Sequence, residues 1–177
     1  VLIAGDAPAA QAAKEATRTL PIVMASVADP VGIGLVASLA RPGGNITGLS
    51  DFNAGVIAKR LELLKDVVPA ASHIAVLLNP ANPTNPLQWQ LTQAAAPALR
   101  VTLFAWEATG PDDIERAFAA MRQEPPGALL VFGDSMLGAH RHQIVALAGQ
   151  SRLPAIYSTR EPVVAGGDRG VGGELGG

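Results

Sequence analysis

Three groups of residues in this chain have the types or spacings that chemistry uses. Gly32, Gly34 and Ala37 spell G-x-G-x-x-A after a predicted strand, the spacing of a turn whose backbone N–H groups approach a pyrophosphate. Asp51 stands at the end of the next predicted strand, roughly where an acid would take a ribose hydroxyl. The turn is nevertheless wrong for a nucleotide. In a true one the strand runs directly into the first Gly, whereas here Asp29-Pro30-Val31 intervenes and the Asp29 carboxylate would repel a phosphate. The second group is His140-x-His142 with His73. Residues two apart on a helix face different ways, so the pair is poorly placed to chelate one metal and reads as solvated helix histidines. Neither a cofactor nor a metal is expected.

The third group, Gly133-Asp134-Ser135-Met136, follows a predicted strand and is similar to the nucleophile block of GDS-type hydrolases. A serine there becomes a nucleophile only with a His base in reach. No His follows His142, and Ser135 and His140 both fall around one helix start, a poor geometry for a triad. The block also sits on the sixth predicted strand rather than the first. Both enzyme readings, nucleotide-dependent and hydrolytic, therefore stand as alternatives to a protein that performs no chemistry.

The elements that must position these residues alternate along the whole chain. Short apolar runs predict strands at 1–5, 22–27, 46–51, 74–79, 102–106, 128–133 and 155–157. Helical patterns lie between them at 9–18, 32–39, 55–68, 85–99, 112–122 and 137–151. Ile57, Leu61, Leu64 and Val68 follow helical spacing, and Asp112 and Asp113 place negative charge at a helix start, while Pro97 predicts a kink. Such a β-α-β rhythm with short connections implies an α/β fold of parallel sheets covered by helices.

Composition permits this. The chain has 177 residues, 49% of them hydrophobic, so a core can form. Its formal net charge is −2, with no basic footprint for nucleic acid or an anionic membrane. There is no Cys, which excludes disulfides and thiolate metal sites. No apolar run approaches the ~20 residues that span a bilayer. Residues 166–177 hold seven Gly without apolar periodicity and read as a flexible tail. A boundary near 52–54 divides the rest into a partial N-terminal lobe, 1–53, and a C-terminal lobe, 54–165.

Four segments carry a resemblance. They are AAKEATRTLPIVMASVADPVGIGLVASLARPGGNITGLS (12–50), AKRLELLKDVVP (58–69), IAVLLNPANP (74–83) and QIVALAGQSRLPAIYSTRE (143–161). With DPVG, ARPGGNITG and NPANP in this order, the chain resembles ABC-transporter substrate-binding proteins of the tryptophan/tyrosine-binding type. The resemblance runs from Val1 to about Gly167. It implies a periplasmic-binding-protein type I-like fold of two Rossmann-like lobes with parallel sheets. It further implies a signal peptide and a β-α-β-α portion ahead of Val1 and a crossover after Gly167, so the chain reads as truncated at both ends with its first lobe incomplete.

In a parallel sheet a ligand lies beyond the carboxyl ends of the strands, where helix N-termini present free N–H groups. The polar residues fall at those ends. Asp6, Ala7 and Pro8 follow the first predicted strand, Ala28, Asp29 and Pro30 the second, and Asn79, Ala81, Asn82 and Thr84 the fourth. Asp134 and Ser135 follow the sixth, and Tyr157 to Glu161 the seventh. N–H groups and hydroxyls suit a carboxylate, Asp suits an amine, and Tyr157 would supply an aromatic wall. Each residue has a second reading. Asp6, Asp29 and Asp134 serve equally as helix caps, Asn79 and Asn82 as turn residues beside Pro80 and Pro83, and Tyr157 as core. Arg160 and Glu161 are placed to pair with each other.

The resemblance implies the solute-binding component of an ABC importer. It would hold an amino acid, aromatic or otherwise, or a related small molecule between its lobes and dock on a membrane permease. The expected setting is periplasmic or extracytoplasmic, compatible with a lipoprotein anchor, and the expected full-length state is a monomer. A folded remnant that binds nothing is the remaining alternative.

Overall fold

The computed structural model describes residues 1–51, 54–159 and 170–172. The chain divides into two compact units, Val1–Asn53 with Ala81–Thr84, and Ala54–Pro80 with Asn85–Gly177.

In the first unit β1 (Leu2–Ala4) leads through α1 (Ala7–Ala16) to β2 (Ile22–Met24) and then to β3 (Ile46–Gly48). The three strands form a parallel sheet in the order β1-β2-β3. Alanine, the best helix former, fills six of the ten positions of α1, and Asp6 caps it by accepting from the Ala9 N–H at 2.8 Å. One sheet face, Ala4, Ile22, Met24 and Ile46, packs with Ala7 and Ala10 of α1 and with Val27, Leu35 and Val36. The register sets Ile3 beside Val23 and Thr47 on the other face, where all three are exposed. Gly48 is required where β3 meets β2. Its φ is +144°, and a Cβ there would lie 2.0 Å from the Met24 carbonyl oxygen.

The helix predicted at 32–39 does not form. A single turn begins at Asp29, whose carboxylate accepts from the Gly32 N–H at 2.9 Å. Gly34, at φ +73°, closes it at once: the Leu35 N–H donates to the Pro30 carbonyl and the Gly34 N–H to Val31. This is a Schellman closure, and Gly34 is its left-handed residue. Apolar spacing continued past a backbone stop.

The second unit contains α2 (Ala54–Val67), β4 (His73–Leu78), α3 (Asn85–Ala95), β5 (Thr102–Glu107), α4 (Pro111–Met121), β6 (Ala128–Val131), α5 (Ser135–Ala139), α6 (Arg141–Gln150), β7 (Ala155–Tyr157) and β8 (Gly170–Gly172). Its parallel sheet runs β5-β4-β6-β7-β8. The path from β4 goes outward to β5, crosses back over β4 to β6, and continues away to β7. Right-handed crossovers then set α3 on one face and α4 and α6 on the other. The core divides accordingly. Ala75, Leu77, Leu129, Val131 and Tyr157 pack with Ile114, Phe118 and Ile144, while Ile74, Val76, Leu78, Leu130 and Ile156 pack with Leu61, Leu64 and Ala96. Strands buried on both faces are why these segments read as unbroken apolar runs.

Three further expectations change here. Pro97 does not kink α3, which ends at Ala95; a residue without an N–H cannot extend the ladder, and Arg100 at φ +54° turns the chain towards β5. The helix expected at 137–151 is two, α5 and α6, parted at His140 (φ −97°, ψ 19°) just after Gly138, a poor helix former. Within the Gly-rich 166–177, Gly170–Gly172 pairs with β7 as a parallel strand, a pairing that composition does not reveal.

Candidate ligand-binding site

Among the described residues, reversal of strand order occurs once, between β4 and β6 in the second unit. Connections leave these adjacent strands in opposite directions, so a crevice opens beyond their carboxyl ends, the usual ligand position in open α/β sheets. Asn79 directly follows β4, and Asp134 lies three residues past β6. The Asn79 amide Nδ2 donates to the Asp134 carboxylate at 3.3 Å and 3.2 Å, tying the two strand exits together. Asp134 Oδ1 also accepts from the Leu137 N–H at 2.9 Å and so caps α5. The capping reading of Asp134 is therefore realised, and the same carboxylate stands at the switch point.

A buried polar ladder runs from this point. The Asn79 carbonyl accepts from Asn85 Nδ2 at 2.8 Å, Asn85 Oδ1 accepts from Gln88 Nε2 at 3.0 Å, and the Thr92 hydroxyl donates to the Gln88 carbonyl at 2.7 Å. Asn79, Asn85, Gln88 and Thr92 are all buried. Between Asn79 and Asn85, Asn82 Oδ1 accepts from both the Thr84 N–H (3.0 Å) and its hydroxyl (2.8 Å), and both residues are buried while Ala81 is exposed. The turn reading of Asn82 is thus realised locally. Asn85, Gln88 and Thr92 were missed in the sequence, although their spacing of three and four residues puts them on one helix face.

The remaining candidates separate. Asp6 caps α1, with Ala7 and Pro8 in its first turn; Asp29 caps the short turn, flanked by Ala28 and buried Pro30. Each of these two carboxylates accepts a backbone N–H through its Oδ1. Asp51 accepts from the Ser26 hydroxyl at 2.6 Å, joining the exits of β2 and β3. Tyr157 is core: it is only 3% exposed, in the cluster with Leu77, Leu129 and Ile144, and burial pushes its phenol up to about 12. An inward-facing position on a strand realises its core reading. Arg160 and Glu161 lie outside the described residues.

The enzyme geometries are absent from the described residues. The G-x-G-x-x-A segment opens no helix, and its Gly32 N–H is already bound to Asp29. Ser135 and His140 stand at the two ends of α5, and no hydrogen bond joins them. Among the described residues, no group of three or more His, Asp or Glu is placed to hold a metal ion, and no helix is long and apolar enough to cross a membrane.

These features define an α/β fold of the type I periplasmic-binding-protein kind. The chain belongs to the ABC transporter substrate-binding protein family, whose model matches residues 1–174. The family is one of substrate-binding proteins rather than enzymes. The chain is 30% identical over 166 residues to a tyrosine-binding protein of Clostridioides difficile (strain R20291), covering 94% of this chain and 47% of that protein. Among solved structures, an ABC domain from Streptococcus pneumonia in complex with L-Trp is similar at a TM-score of 0.85 and 28% identity, over 94% of this chain and 57% of that one. A conserved domain protein from Vibrio cholerae O1 biovar El Tor (N16961) aligns at 0.84 and 29% identity, over 93% and 55%. The chain spans about half the length of these relatives.

Proposed function

We propose that this chain is part of the solute-binding component of an ABC importer, and that it takes a free amino acid with an aromatic side chain and delivers it to a membrane permease. The observation that carries this is the Asn79–Asp134 pair at the strand-order reversal of a family member. Support for the ligand class comes from the relatives, one named for tyrosine and one crystallised with L-Trp. The chemistry fits a zwitterion. Asp134 offers a carboxylate to an ammonium group, and the amides of Asn79 and Asn82 belong to a polar strand exit suited to orienting one small molecule. The protein works outside the cytoplasm, as a monomer, without nucleic acid and without making or breaking covalent bonds.

Thermal unfolding with added L-Trp, L-Tyr, L-Leu and non-amino-acid solutes tests the reading. A ligand at 100 times its Kd stabilises the folded state by about 2.7 kcal/mol, a readily measured rise in Tm. L-Trp or L-Tyr is expected to give that rise, and Asp134→Asn to reduce it. No response to any amino acid would overturn the proposal.

A further inference from the structure

The segment from Asn79 to Asn85, Asn-Pro-Ala-Asn-Pro-Thr-Asn, is held shut at its base. Asn85 is 1% exposed and uses both ends of its amide: Nδ2 donates to the Asn79 carbonyl at 2.8 Å, and Oδ1 accepts from Gln88 Nε2 at 3.0 Å. The first bond joins the strand exit of β4 to the start of α3, closing the segment into a ring through a side chain. Inside that ring Pro80 and Pro83 fix two φ angles, and Asn82 holds the Thr84 N–H and hydroxyl. The Asn85 contact spans the whole segment, from its first residue to its last. A buried amide with donor and acceptor both engaged accepts one orientation, because turning it would set like against like on both sides.

We propose that Asn85 is the positioning residue of the binding loop: by closing Asn79–Asn85 it sets the geometry of Ala81, Asn82 and Thr84 before a ligand arrives. The ligand then spends none of its binding energy on ordering this loop. This rests on the amino-acid-binding reading above for its ligand, but its structural half is testable without one.

Three variants separate positioning from general stability. Asn85→Leu keeps the approximate volume and withdraws both bonds. Gln88→Met withdraws the partner of Asn85 Oδ1, leaves the Asn85 Nδ2 bond to Asn79 in place, and serves if Asn85→Leu does not fold. Thr92→Val removes a fully buried hydroxyl bond on the same helix face, away from the loop, and is the stability control. Amide hydrogen exchange at Thr84, in the ligand-free protein, reads the loop directly. Titration with L-Trp and L-Tyr reads affinity.

Asn85→Leu is expected to lose protection at Thr84 and to weaken binding roughly tenfold, Gln88→Met to do both to a smaller extent, and Thr92→Val to lower Tm with neither effect. Retained Thr84 protection in Asn85→Leu, or in Gln88→Met where that is the variant that folds, overturns the proposal. So does a Thr92→Val variant that loses as much affinity as Asn85→Leu. If the wild-type protein binds neither amino acid, the functional reading falls and takes the affinity claim with it, while exchange at Thr84 still decides whether Asn85 orders the loop.

Discussion

The two sheets are built from similar strand sequences and end up differently covered. In the first unit the strands run in chain order, β1-β2-β3, so right-handed connections pass over one face only. That face holds Ala4, Ile22, Met24 and Ile46, while Ile3 on the other is 79% exposed. In the second unit the order reverses at β4, helices fall on both faces, and Leu77, Ile74, Leu129 and Leu130 are all buried. One topological event does two things there. It completes the core, and it opens the crevice at which Asn79 and Asp134 meet.

The largest test of this contrast is a pair of truncations. Phe118→Ala removes a fully buried ring from the α4 side of the second unit and is expected to cost about 3–5 kcal/mol. Ile3→Ala, on the exposed face of the first, is expected to cost no more than about 0.5 kcal/mol. Urea unfolding of both variants checks this. Comparable losses would mean that Ile3 is covered in solution and that the two sheets do not differ.

The next effect separates core from site on a single strand. Tyr157 is raised to about 12 by burial. Below about pH 10 its phenol is neutral in both folded and unfolded chains and the shift contributes nothing. Between about 10 and 12 only the unfolded chain releases the proton, so stability falls across that window by roughly 2–3 kcal/mol. Tyr157→Phe should flatten this part of the pH profile and leave amino-acid binding unchanged. A phenylalanine variant with the same alkaline decline would show that Tyr157 is solvated, and a loss of binding would return it to the site.

What was legible in the sequence follows the same physics. Strands of the second unit were plain because burial on both faces makes IAVLL and ALLVF unbroken apolar runs. Helix starts were plain where Asp6 and Asp134 cap them. The expected helix at 32–39 failed because the decision lay in one backbone angle at Gly34, which apolar spacing does not encode. Asn79 and Asp134 were recognisable as residues after strands, but their pairing needed strand order, and adjacency of β4 with β6 is not written in chain sequence. Asn85, Gln88 and Thr92 carried the only missed signal. Amides and hydroxyls default to a solvent-facing reading, and nothing but their common helix face argued for burial.

The smallest effect asks whether the switch point adds anything to an ordinary cap. Asp6 and Asp134 do the same job in the two units, each accepting a backbone N–H near a helix start, at 2.8 Å and 2.9 Å. Asp6→Ala should therefore cost about 1 kcal/mol, as the loss of an N-cap does. Asp134 additionally accepts the buried Asn79 amide, so Asp134→Ala should cost about 1 kcal/mol more, the increment for withdrawing a partner from a buried donor. The helix that Asp134 caps is half as long as α1, with five residues against ten, so the cap alone predicts the opposite ranking. Denaturant midpoints of the two variants, with Asn79→Ala and the Asn79/Asp134 double variant closing a cycle, separate the contributions. A coupling near zero would reduce Asp134 to a cap like Asp6 and leave the crevice without its structural tie.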